Sequence, residues 1–121
     1  MVSFVPAGWP AAVQPPESDG FQPSAVAWLL DVLPPGYRGQ RRVQRYPIGL
    51  AVIARHHTQA CVEGTRQGYR AIRSELSRCL PSEDIDAVLV IYATEGKRQV
   101  VTARSVALVE EALFEDGFRP L

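Results

Sequence analysis

The chain has 121 residues, 46% of them hydrophobic and 21% charged, which is ordinary usage for one globular domain. Its 13 acidic and 13 basic side chains cancel, which argues against a dedicated nucleic-acid binder with a strongly basic surface. No apolar run approaches the roughly 20 residues of a membrane helix, and residues 1–6 lack the positive charge of a secretory signal. We therefore expect a single domain over residues 1–121, located in the cytoplasm and without a membrane partner.

Residues 1–20 are predicted to form an extended, proline-rich N-terminal arm. Prolines exclude a helix interior and restrict the residue before each of them; here they are Pro6, Pro10, Pro15 and Pro16. The segment is nevertheless apolar, and its Trp9 combines a large ring with an indole N–H that seeks a polar partner. We expect the arm to lie across the helices with Trp9 as its anchor.

Residues 21–33 are predicted to form one short helix. Apolar side chains occur on nearly every side of it, which is typical of a buried helix. Pro34, Pro35 and Gly36 end it. A basic connector follows over residues 37–46.

Two long stretches, residues 47–80 and 82–114, have helical periodicity and are separated only by Pro81. So short a break makes neighbouring helices fold back antiparallel. The predicted fold class is therefore all-α: a long antiparallel hairpin, about 50 Å in length at 1.5 Å per residue, with the short helix and the arm packed on it.

Small residues mark the middle of this hairpin. Folding about Pro81 brings Gly68 opposite Tyr92, and Gly64 opposite Gly96 or its neighbours. A glycine inside a helix costs about 1 kcal/mol relative to alanine, so three of them require a compensating gain. We favour close packing of the two backbones at this waist. Helix kinks, or a small-molecule cavity beside the glycines, are the alternatives.

Apolar residues that lie off the hairpin seam exceed what a short helix and an arm can cover. They are Val52, Ile53, Val62, Val88, Ile91, Val100, Val101 and Val109. This surplus predicts self-association, most simply a two-fold homodimer that forms a four-helix bundle.

No constellation of residues indicates a reaction. His57 and Cys61 have the i, i+4 spacing of a metal clasp, but the facing helix supplies no further ligand, so we expect a structural histidine. Cys61 and Cys79 lie 18 residues apart on one predicted helix, which excludes a disulfide between them. We expect no enzyme, no metal and no cofactor.

Charge is sorted along the chain. Residues 38–80 hold nine arginines against two glutamates, a net of +7, whereas residues 81–121 have a net of −4. Two antiparallel helices can neutralise each other in this way, which is the interpretation we prefer. The candidate residues for a partner or a phosphate group are Arg38, Arg41, Arg42, Arg45, Arg66, Arg70 and Arg73.

Those arginines support two hypotheses. The first is a non-enzymatic interaction or scaffold module, a homodimer through the helical hairpin, that presents the arginines to a protein partner. The second is a regulator associated with nucleic acid, since arginine interleaved with tyrosine suits phosphates and stacked bases. Pro34 to Tyr37 also matches the PPxY pattern, but a helix-ending turn explains those residues fully.

Several short runs resemble a family of small, helical, uncharacterised actinobacterial proteins. The runs are Gly8-Trp9-Pro10, Val13, Pro15-Pro16, Ala25-Val26-Ala27-Trp28-Leu29-Leu30-Asp31, Pro34-Pro35, Tyr37-Arg38, Glu95-Gly96 and Leu108-Val109-Glu110-Glu111-Ala112-Leu113. The resemblance covers nearly the whole chain. It implies a bacterial cytoplasmic setting, and it implies neither an activity nor any functional residues.

Overall fold

The computed structural model describes residues 5–117 as helices joined by turns. The helices are α1 (Phe21–Val32), α2 (Arg41–Arg45), α3 (Pro47–Leu76) and α4 (Ser82–Glu115), with a 3₁₀ turn at Pro35–Tyr37. Residues 5–117 contain no strand, so the all-helical class is confirmed. None of the helices in this part of the chain is both long and apolar enough to cross a membrane.

Helices α3 and α4 pack closely against each other. Side-chain hydrogen bonds between them join Arg55 to Glu110, Thr65 to Gln99, and Arg73 to Asp86. The connection between the two helices occupies residues 77–81.

This connection is longer than the lone proline that the sequence predicts. α3 ends at Leu76, and the N–H groups of Cys79 and Leu80 both bond to the Leu76 carbonyl, at 3.0 and 2.9 Å. Apolar periodicity continues past the last helical turn, which is why it overestimates the length of α3. Cys79 therefore lies in the turn and is exposed, not in the seam between the helices.

Residues 5–20 form successive tight turns, which corrects the expectation of an extended arm. The N–H groups of Trp9, Val13 and Ser18 bond to the proline carbonyl three residues earlier, at 3.1, 3.1 and 3.0 Å. Proline has a fixed φ and a free carbonyl, so evenly spaced prolines favour turns. The predicted connector likewise differs from the structure, because it contains α2.

Trp9 stabilises this folded segment from within. Its indole N–H donates to the Val13 carbonyl at 2.9 Å, and its ring lies 6.0 Å from that of Phe21. The contact with α4 is made elsewhere, because the Ser105 hydroxyl donates to the Gly8 carbonyl at 2.7 Å. The polar partner expected for the indole is thus inside the segment.

The hydrophobic core lies at one end of the α3–α4 pair, which we call the core end. Three segments supply its buried side chains: the N-terminal part with Val13, Phe21, Ala25, Val26, Leu29 and Leu33; α3 with Leu50, Ala51 and Ala54; and α4 with Val106, Val109 and Leu113. Trp9 and Trp28 pack against its edge. The opposite half, residues 60–76 with residues 82–101, we call the turn end.

Candidate interaction surface

The turn end has almost no core. Among the described residues there, Ile85 and Leu89 are the buried apolar side chains, and both lie at the contact between α3 and α4. Residues 5–33 supply a third layer of packing at the core end only. Two helices alone bury one stripe each, so apolar side chains elsewhere on the turn end remain in water.

Helix α4 carries these exposed apolar side chains. Val90, Ile91 and Val101 are 66%, 67% and 64% exposed, and Val88 and Val100 are also exposed. At 100° per residue, one set of positions lies opposite the α3 contact; we call it the outer stripe, and its members are Ala87, Val90, Thr94, Lys97, Val101 and Arg104. All of them are exposed.

Helix α3 has a different outer surface. At the turn end the exposed positions of α3 are mostly polar, charged or small, with Gln67, Arg70 and Ser74 among them. Of the large hydrophobic side chains of α3, all of which lie in the described part of the chain, Tyr69 alone is exposed. The surplus of exposed apolar area therefore belongs to α4. The apolar pattern of the sequence predicts part of this surface but does not include Val90. Val90 nevertheless lies on the same helix face as Val101, because the two are eleven residues, or about three turns, apart.

A shallow groove follows one side of the contact between the two helices. It consists of three adjoining hollows of about 250, 190 and 410 Å³. Val62, Tyr69, Ala93 and Val100 contribute much of its apolar lining. Charged side chains including Arg66 and Lys97 also border it, so the groove is only partly apolar.

The glycine waist divides into two contacts and one exception. Tyr92 lies against Gly68, where a Cβ would collide with its hydroxyl, and Thr65 lies against Gly96, where a Cβ would come within 2.9 Å of Cγ2. Gly64 is exposed and has nothing near it, so its predicted place in the waist is wrong. Close approach thus involves Gly68 and Gly96, with Tyr92 filling the space beside Gly68.

The seven candidate arginines lie in two separate groups. Arg38, Arg41, Arg42 and Arg45 are exposed beside the start of α3. The exposed group Arg66, Arg70 and Arg73 lies on the turn end, roughly 30 Å along the helix. The chain therefore presents two basic regions and not one continuous stripe.

Ion pairs neutralise some of these arginines. Arg38 lies 2.8 Å from Asp31 and Arg73 lies 2.7 Å from Asp86. A third, more distant pair is Arg66 with Glu63, at 3.9 Å. Within residues 5–117, the arginines with no carboxylate within 4.0 Å include Arg41, Arg42, Arg45 and Arg70. Arg45 instead lies over the Tyr46 ring, 5.9 Å from its centre.

A polar cleft of about 340 Å³ lies where the end of α1 meets α3 and α4. His57 and Cys61 line it, with Sγ 3.7 Å from Nε2, and Asp31, Glu95 and Arg98 are also part of its wall. The described residues contain no cluster of three His, Cys, Asp or Glu side chains arranged for a metal ion. The i, i+4 spacing in the sequence predicts that His57 and Cys61 are neighbours. The cleft itself depends on the packing of α1 against α3 and α4, which that spacing does not reveal.

No family model, curated protein or solved structure shows significant similarity to this chain.

Proposed function

We propose that this chain is a non-enzymatic protein–protein interaction module that works as a homodimer. In this proposal an antiparallel hairpin of α3 and α4 is the framework, α1 and the N-terminal segment complete the core end, and the turn end makes the intermolecular contact. The proposed setting is the bacterial cytoplasm, which the family resemblance implies and with which the free thiols of Cys61 and Cys79 agree.

The observation that carries the proposal is the exposed apolar surface of α4 at the turn end. Val90, Ile91 and Val101 are each about two-thirds exposed, whereas Val106, Val109 and Leu113 at the core end of the same helix are buried. A concentration of exposed apolar side chains on one helix, here with Val88 and Val100 in addition, is typical of interaction sites in proteins. A second hairpin would provide the missing third and fourth layers.

The experiment is sedimentation velocity over a wide range of protein concentration. The proposal expects a dimer that dissociates on dilution. A protein that stays monomeric at the highest concentration would contradict it.

One observation favours a second candidate function, association with nucleic acid. Arg41, Arg42 and Arg45 lie exposed within one short helix, with no carboxylate within 4.0 Å among residues 5–117, and Tyr46 follows directly. Such a cluster suits a phosphate backbone. This candidate expects RNA or DNA binding that weakens steeply with salt and is lost in an Arg41→Glu, Arg42→Glu double variant. The absence of binding at low salt would rule it out.

A further inference from the structure

The charges on α4 specify how two copies would pair. Residues 83–94 contain three carboxylates and no base, whereas residues 97–104 contain three bases and no carboxylate. All six side chains are exposed: Glu83, Asp84, Asp86, Lys97, Arg98 and Arg104. Two α4 helices in antiparallel contact would place the acidic part of each against the basic part of the other. A parallel pair would place like charges together.

The free length of the outer stripe gives the register. At the core end, the N-terminal segment covers α4, because Ser105 bonds to Gly8 and Gly8 lies against Arg104 and Leu108. The exposed stripe therefore ends at Arg104, which touches this segment but is still exposed, and it spans about 26 Å of helix from Ala87. Its midpoint lies between Glu95 and Gly96, which is also where the charge changes sign.

We infer that the partner of the outer stripe is a second copy of this chain, bound with its α4 antiparallel about a two-fold axis near Glu95. This inference rests on the proposed homodimer. Val90 of each copy then packs on Val101 of the other, and Thr94 on Lys97. Arg104 reaches the acidic first turn of the other α4, around Glu83, which has no ion-pair partner within residues 5–117.

Helix α4 is a better candidate than α3 for this contact because it is apolar on two sides. Its inner stripe packs on α3 and its outer stripe exposes Val90 and Val101. The outer side of α3 offers Gln67 and Arg70 at the same level, and two copies of that side would oppose their arginines. Self-association through α3 would therefore bury charge without apolar gain.

The first test changes the stripe itself. Val90→Lys places a positive charge against Val101 of the other copy, one turn from its Lys97 and Arg104, and should raise the dimer dissociation constant by at least about tenfold. Val100→Lys is the matched control, because Val100 is also an exposed valine of α4 but lies about 80° round the helix from Val90, off the stripe. Equal effects of the two variants, or no effect of Val90→Lys on an existing dimer, would overturn the inference.

The second test measures orientation. Cys79 is exposed in the turn, so a Cys61→Ser variant can carry one spin label per chain. Antiparallel pairing about Glu95 places the two Cys79 positions about 45 Å apart along the helix axis. Parallel pairing places them at the same end, within about 25 Å. A dimer with the short distance would overturn the inference and leave the proposed function intact, whereas a protein that never dimerises would overturn both.

Charge exchange provides an independent readout. Arg104→Glu should weaken the dimer by about tenfold, since the two-fold axis doubles each loss. Adding Glu83→Arg should restore the affinity, because the pair is reversed and not removed. Recovery of affinity in the double variant also serves as a control. If Arg104→Glu weakened the dimer only by disturbing the nearby Gly8 segment, Glu83→Arg would not restore the affinity. Failure of the double variant to recover would contradict the register.

Discussion

The Arg55 Nε group lies within hydrogen-bond distance of both carboxylate oxygens of Glu110, at 3.0 and 2.8 Å, and so joins α3 to α4 near the core. The two side chains are 32% and 20% exposed, whereas those of the Arg73–Asp86 pair at the turn end are 56% and 59% exposed. Two ion pairs between the same helices thus differ mainly in their solvation.

This difference predicts unequal contributions to stability. Arg55→Met should lower the free energy of unfolding by about 1–2 kcal/mol, because it leaves a partly buried carboxylate unpaired. Arg73→Met, the matched control, should cost less than about 0.5 kcal/mol, since water solvates Asp86. Urea unfolding of both variants measures the difference. Equal losses would show that burial does not separate the two pairs.

The glycines of α3 should respond in opposite ways to alanine. Gly64→Ala should stabilise the protein by about 1 kcal/mol, because an exposed helical position with nothing near it gains helix propensity. Gly68→Ala should instead destabilise it, since the new methyl group displaces the Tyr92 hydroxyl.

A second substitution separates collision from any other cause. Removing the hydroxyl by Tyr92→Phe in the Gly68→Ala background should recover most of the loss. Thermal unfolding of the four proteins forms a double-mutant cycle. Additive effects of Gly68→Ala and Tyr92→Phe would contradict the contact between these two residues.

The turn end should open more readily than the core end. In dilute protein, amides of residues 62–74 and 86–100 should exchange hydrogen faster than those near Leu50 and Val106, which belong to the buried core. Hydrogen exchange read by mass spectrometry resolves these segments. Uniform protection along α3 and α4 would argue that the two ends have equal stability.

The N-terminal segment depends on the conformation of Gly8, whose φ is +94°. Residues that carry a side chain rarely adopt this backbone angle. Gly8→Ala should therefore lower the free energy of unfolding by about 1–3 kcal/mol and release the segment from α4. Faster proteolytic cleavage within residues 5–20 would report the release. Gly36→Ala is the control, because a Cβ there meets nothing and its φ is ordinary. Equal cleavage of the two variants would contradict a special role for Gly8.

The candidate surface was only partly predictable from sequence. Off-seam apolar residues indicate a surplus, and Ile91, Val100 and Val101 do remain exposed. Val109 belongs to the same set, yet it is completely buried beside α1. The pattern cannot separate these two outcomes, because a valine on α4 has the same periodicity whether or not another segment packs over it.

Sequence alone predicted the two long helices, though not α2 or the end of α3: apolar periodicity marks α3 and α4, a proline begins α3, and Gly117, at φ +90°, follows the end of α4. It also predicted the contact between Gly68 and Tyr92. Tertiary structure decided which half of α4 is covered. The 12 residues of α1 span about 18 Å, whereas the 34 residues of α4 span about 51 Å. Because α1 is so much shorter, it cannot cover the whole of α4, and its position at the core end leaves the turn end exposed. The apolar periodicity of α4 contains no information about where α1 packs.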